Sequence, residues 1–172
     1  MNKMGRTKTD VFKSGNVFAI TLSDKNVGYC YLARVPIYKF LRQSSKAILS
    51  LPDLRIDDDL FTIMVDDSGP KKKWKLIGNI EKPYIIKKRY EFCSINVITG
   101  RPQLHILDER LSGGEGFEVC DFDRCASLES AGIWSPESAA MRLSDELNGR
   151  ENAEVQHHKQ AVRDAQRAAR PR

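Results

Sequence analysis

The chain has 172 residues, with 28 Lys and Arg against 23 Asp and Glu, and a formal charge of +5. A single domain with short tails is the natural expectation for that length, which can bury about two-thirds of its unfolded surface without cross-links. No apolar run approaches the roughly 20 residues of a membrane helix, and the polar, basic start MNKMGRTKTDVFKSG lacks the apolar stretch of a secretory signal, so a soluble cytoplasmic protein with reduced thiols is expected.

The excess charge lies at the ends. Residues 1–14 carry +3 and residues 150–172 carry +3, while residues 15–149 carry −1. Basic tails bind polyanions weakly and in a salt-sensitive way, so nucleic acid is not expected as a partner beyond weak tail binding, and no membrane partner is expected. The organisation expected is a basic arm at 1–14, one α+β domain at 15–149, and a charged tail at 150–172, helical or disordered.

In chain order, the first elements are two strands. Val17, Ala19 and Thr21 alternate with Phe18, Ile20 and Leu22; after the SDKN loop, Tyr29, Tyr31 and Ala33 alternate with Cys30, Leu32 and Arg34. Period-two runs rich in β-branched and aromatic residues predict an antiparallel hairpin. The following PIYKFLRQSSKAILSLP is ambiguous and fits a short, interrupted helix closed by Pro52. Leu60–Val65 and Trp74–Ile80 read as a second strand pair joined by DDSGPKKK, with Trp74 as a core anchor. Another strand is expected at Tyr90–Ile98, ended by TGRP, and further strands at QLHIL and GFEVCDF around a flexible SGGEG.

The period then changes. In SPESAAMRLSDELNG, Ser135 suits the N-cap, Pro136 the first helical position and Glu137 the positive helix end. Ala140, Leu143 and Leu147 would line one face, and Asn148-Gly149 offers a C-terminal stop. The last 23 residues have helix-forming composition, with Val155 and Val162 as their only sizeable apolar residues. Strands followed by helix predict an α+β fold: a curved, mostly antiparallel, half-barrel-like sheet with a C-terminal helix.

Residues with chemistry are few. Cys120 and Cys125 have four residues between them, longer than common zinc knuckles, so core positions are expected for Cys93, Cys120 and Cys125, and no metal or cofactor is expected. His105, between Leu104 and Ile106, reads as a half-buried structural histidine, and the only other histidines are His157 and His158 in the tail. SGGEGFEV leads into a strand and lacks the helix N-terminus of a phosphate loop. The acidic run stands out. Asp57, Asp58 and Asp59 precede one strand and Asp66 and Asp67 follow it, either as solvated strand ends or as a patch that meets a basic protein surface. Lys71–Lys73 and Lys87–Arg89 are its expected internal counterweight.

GNVFAITLSDKNVGYCYLARV resembles the start of immunity protein family 26 of bacterial polymorphic toxin systems, in Gly15, Val17, Phe18, Ile20, Leu22, Asp24, Gly28, Tyr29 and Val35. LFTIMV and WKLIGNI are similar to that family's second strand pair, matching at Trp74, Ile77 and Gly78, and AGIWSPESAAMRLSDELNG resembles its closing turn and helix. The resemblance spans residues 14–149 and departs from the family in the long insert between Val35 and Leu60 and in the C-terminal extension. It implies a cytoplasmic protein that binds and neutralises a cognate toxin domain by direct contact, a role that needs no catalytic residues. The family label is shared with a small phosphotriesterase, so hydrolysis of phosphotriesters is the alternative it implies. Metal-dependent enzymes of that type activate water with histidines and carboxylates; with one histidine in the body, Cys93, Cys120, Asp121 and Asp123 would have to contribute.

Overall fold

The opening hairpin forms where the alternation puts it: β1 (Asn16–Thr21) runs antiparallel to β2 (Val27–Arg34), with Val17 opposite Tyr31 and Ala19 opposite Tyr29. The computed structural model describes residues 12–66, 73–80 and 89–170. Its further strands are β3 (Ile37–Ser45), β4 (Asp59–Val65), β5 (Lys75–Asn79), β6 (Arg89–Ile95), β7 (Pro102–Asp108), β8 (Glu115–Val119) and β9 (Ile133–Trp134), and its helices are α1 (Phe122–Ala126), α2 (Pro136–Leu147) and α3 (Ala153–Ala168). The fold is α+β, with an open, curved, antiparallel sheet and a C-terminal helix. The described residues divide between two compact units, one within Met1–Ile86 and Trp134–Asn148, the other within Lys87–Ile133 and Gly149–Arg172. The segment 15–149 thus contributes to both.

The first unit holds a six-stranded sheet in the order β5-β1-β2-β3-β4-β9. Here the structure corrects two expectations. Residues 37–45 form a nine-residue strand rather than a helix, because Ile37, Tyr38, Phe40 and Leu41 are all fully buried and lie between β2 and β4. A strand covered on both faces has no polar alternation to reveal its period. The second strand pair also dissolves: β4 pairs with β3, whereas β5 pairs with β1 at the other side of the sheet. The intervening Asp67 and Lys71–Lys72 lie outside the described residues, as do Lys87 and Lys88.

Trp74 organises one face of this sheet. Its ring meets Tyr38 and Phe40 nearly edge-on, at 5.5 and 5.9 Å between centroids, with Phe18 at 6.3 Å. Phe40 stacks in turn on Phe61 at 4.7 Å. Such edge-on and offset pairs add about 0.5–1.5 kcal/mol each beyond their area burial. Helix α2 begins as its sequence predicts, with Pro136 leading and the Ser135 hydroxyl accepting from the Ser138 N–H at 3.0 Å. Its buried face is Ala139, Arg142, Leu143 and Ser144 rather than the Ala140–Leu143–Leu147 stripe. Arg142 owes its burial to two rings: its guanidinium lies 4.0 Å from the Phe61 centroid and 5.3 Å from that of Trp134.

The second unit is a three-stranded antiparallel meander, β6-β7-β8. The strand expected at Tyr90–Ile98 stops at Ile95, because Asn96 turns the chain: its side-chain oxygen accepts from the Ile98 and Thr99 N–H groups. On one face Cys93, Cys125 and Val162 form a buried cluster with Ile95, Cys120, Phe122 and Leu128 packed around it. Cys93 and Cys125 are joined by a disulfide, with Cα atoms 5.3 Å apart, where reduced thiols were expected. Within the tail segment, α3 is capped by Asn152, whose side chain accepts from the Glu154 and Val155 N–H groups.

Gly15 ties the hairpin to β5. Its φ is +86°, its N–H donates to the Leu32 carbonyl at 2.7 Å, and its carbonyl accepts from the Ile80 N–H at 2.9 Å. A Cβ there would sit 2.4 Å from the Ile80 carbonyl oxygen. Gly15→Ala is therefore expected to cost about 3 kcal/mol of unfolding free energy in urea titrations. Gly100→Ala, at φ +66° with nothing within 4 Å, should cost only about 1 kcal/mol.

Candidate functional site

Two of the acidic residues singled out in the sequence, Asp58 and Asp59, are committed to the first unit itself. Asp58 faces Arg42 at 3.4 Å and Arg55 at 3.9 Å, and its backbone carbonyl holds the Arg42 N–H. Asp59 neutralises Lys39 at 3.3 Å, a lysine only 5% exposed whose ammonium also lies over the Tyr31 ring. Asp66 is exposed, and its N–H joins β4 to the Trp134 carbonyl. Among the described residues the counterweights are Lys39, Arg42 and Arg55; of the two basic runs named from sequence, Lys73 pairs with Glu137 and Arg89 with Glu91, and the rest lie outside the described residues. Asp57 is exposed, and together with Asp58 it borders a cavity of about 690 Å³ walled by Leu51, Leu54, Ile56 and Ile80.

A different surface stands out in the second unit. Cross-strand pairing puts Ser94, Gln103 and Val119 in one row and Phe92, His105 and Phe117 in the next, on the face opposite Cys93. Phe117 is 58% exposed and Val119 75%, and the turn after β6 holds out Val97 and Ile98 at 96% and 91%. Single exposed apolar side chains are ordinary, but four on one small sheet and its turn are more than chance scatter would place there, and clustered apolar exposure is a mark of partner sites.

Among the described residues, Phe117 and Val119 stand on an unpaired backbone edge. β8 ends the order β6-β7-β8, whereas β6 is covered by residues 129–131, which bond to Cys93 through both its N–H and its carbonyl. The Cys120 N–H donates to the Pro102 carbonyl. By antiparallel alternation, Glu118 and Gly116 then bond inward, and Glu115, Phe117 and Val119 turn their backbone N–H and C=O groups outward. The same alternation makes His105 and Phe117 a close, non-bonded pair, in agreement with their edge-on rings at 4.6 Å.

His105 is half-buried between this ring and Ser94, whose hydroxyl lies 2.9 Å from Nε2. A hydroxyl and an imidazole at that separation are the first two members of a nucleophile–base arrangement. Burial lowers the pKa of His105 below its ordinary value, and Glu115 on the next strand opposes that shift. Counting outward from the TGRP turn could have paired the two: Ser94 falls opposite Gln103, one diagonal step from His105. Nothing local in GFEVCDF tells an edge strand from a central one, so the exposure of Phe117 was not legible. Cys93 and Asp121, which a metal-dependent hydrolase would have to enlist, are occupied by the disulfide and by capping α1.

Because the neutral imidazole is favoured in the folded state, the stability His105 contributes is complete above its ordinary pKa and is lost as pH falls toward the folded value. An NMR titration of the His105 ring protons should give a midpoint below the ordinary histidine value. Phe117→Ala, which uncovers the ring, should move that midpoint upward.

Comparison of the chain with protein-family models, with curated proteins and with solved structures finds no match.

Proposed function

We propose that this chain is an immunity protein that binds a cognate bacterial toxin domain and neutralises it by direct contact, as its resemblance to immunity protein family 26 implies. The observation that carries the reading is the pair of exposed apolar side chains Phe117 and Val119 on the outward-bonding strand β8, with Val97 and Ile98 exposed in the β6–β7 turn. Such an edge can accept an extended segment of a partner by main-chain bonds, with side chains setting specificity. An interface of standard size, about 1,600 Å² in total, would centre there with Phe117 as its anchor. Of the acidic group, Asp57 at the cavity rim is exposed for partner contact, whereas Asp58 and Asp59 serve Arg42, Arg55 and Lys39. The immunity role belongs to the cytoplasm.

The test is affinity capture from the host bacterium with tagged full-length chain, nuclease-treated and washed at high salt. A stoichiometric protein partner is expected, one that arrests growth when expressed alone and is tolerated when the chain is co-expressed. Phe117→Ala should weaken binding of that partner by about 2 kcal/mol, roughly thirtyfold. Undiminished binding by Phe117→Ala joined with Val119→Ser would take the interface off this edge.

The Ser94–His105 contact supports a second reading, a small hydrolase of phosphotriesters or related esters in which Ser94 is the nucleophile and His105 its base. A fluorophosphonate probe should then label Ser94, with labelling lost in His105→Gln. An unlabelled wild-type protein would rule that reading out.

A further inference from the structure

Three of the four cysteines meet on the helix-covered face of the second unit's sheet. Cys93 of β6 and Cys125 of α1 form the disulfide, Val162 of α3 lies against them, and Cys120 packs on the same cluster with a free thiol. Helix-start chemistry explains how Cys120 comes to be there. Asp121 is the N-cap of α1, and its carboxylate accepts from the Arg124 N–H at 2.6 Å. Cys120 is therefore the residue before the cap, and Cys125 is the fourth residue of the helix. Side chains at those two positions pack on one another across the first turn and fix how the chain enters the helix. The spacing that suits zinc poorly is thus one that seats a thiol beside a bonded sulfur. Cys93 and Cys125 are fully buried, whereas Cys120 is half-buried, the outermost sulfur of the three.

We propose that Cys93, Cys120 and Cys125 form a thiol–disulfide exchange site, in which Cys125 bonds to either of the other two. The Cys120 thiolate attacks Cys125 Sγ. A Cys120–Cys125 bond forms, the Cys93–Cys125 bond breaks, and the electron pair leaves on Cys93 Sγ, which takes up a proton to replace the one Cys120 released. The step is isoelectronic and needs no oxidant or reductant. In the first state a covalent bond joins the sheet to α1; in the second the bond closes a short loop at the start of the helix, and β6 is held to α1 by packing and by the Arg124–Glu91 ion pair. Burial and the neighbouring Asp121 carboxylate push the Cys120 thiol up, so the exchange quickens as pH rises.

Trypsin separates the two linkages. Cleavage after Arg89, Arg110 and Arg124 leaves Cys93, Cys120 and Cys125 on three different peptides, so each cross-link has its own mass. The full-length protein is held at pH 8.5 in a mixed reduced and oxidised glutathione buffer, quenched in acid, alkylated and digested. A Cys120–Cys125 cross-link alongside Cys93–Cys125 is expected, lost in Cys120→Ser. A folded Cys93→Ser variant, checked by circular dichroism, should carry Cys120–Cys125 as its only disulfide. The wild-type protein decides: if its Cys120 is recovered only as an alkylated thiol or a glutathione adduct, with Cys93–Cys125 the sole internal cross-link, the proposal is overturned.

Discussion

The first unit depends on burying β3 from both sides. Ile37, Tyr38, Phe40 and Leu41 are fully excluded from solvent, and every backbone group of such a strand must find its bond within the sheet. β2 and β4 supply those bonds, while Trp74 and the aromatic cluster close over one face. The position of Trp74 then determines where β5 can lie, next to β1 rather than β4. The same cluster explains a buried cation: Arg142 reaches the edge of the aromatic group at Phe61 and exchanges water for ring faces, with Glu146 at 3.6 Å.

What was legible in the sequence was local. The hairpin at 16–34 and helix α2 carry their own instructions: alternation and a loop of turn residues in one, Ser135, Pro136 and Asn148 in the other. Long-range pairing was not legible. The Leu60–Val65 and Trp74–Ile80 runs are each good strands, but neither contains a mark naming its neighbour. The run at residues 36–52 was ambiguous, and the interrupted helix it fitted gave way to a strand over Ile37–Ser45 for a related reason, since tertiary burial removed the polar half of the pattern that reports a strand.

The chemistry follows the same division. The acidic run was visible, and Arg55 lies beside it at i,i+3 from Asp58, yet its other partners, Lys39 and Arg42, are on β3 and come close only when β3 pairs with β4. The spacing of Cys120 and Cys125 was weighed for metal, whereas the capping residue between them, Asp121, gives it a structural meaning. Ser94 and His105 lie eleven residues apart and meet through hairpin register alone. In each case a residue's type was read correctly and its neighbour was supplied by the fold.

The exposed edge of β8 bears on how this protein behaves in a crowd of its own copies. Glu115 and Glu118 flank Phe117 on a strand of five residues. An apolar edge without charges is a template for another copy of itself, and charged side chains are the usual defence. Two identical β8 strands brought edge to edge would gather four carboxylates within a few residues of one another. Repulsion among them keeps like strands apart while leaving the edge open to a neutral or basic one, so concentration alone should not drive the protein into filaments.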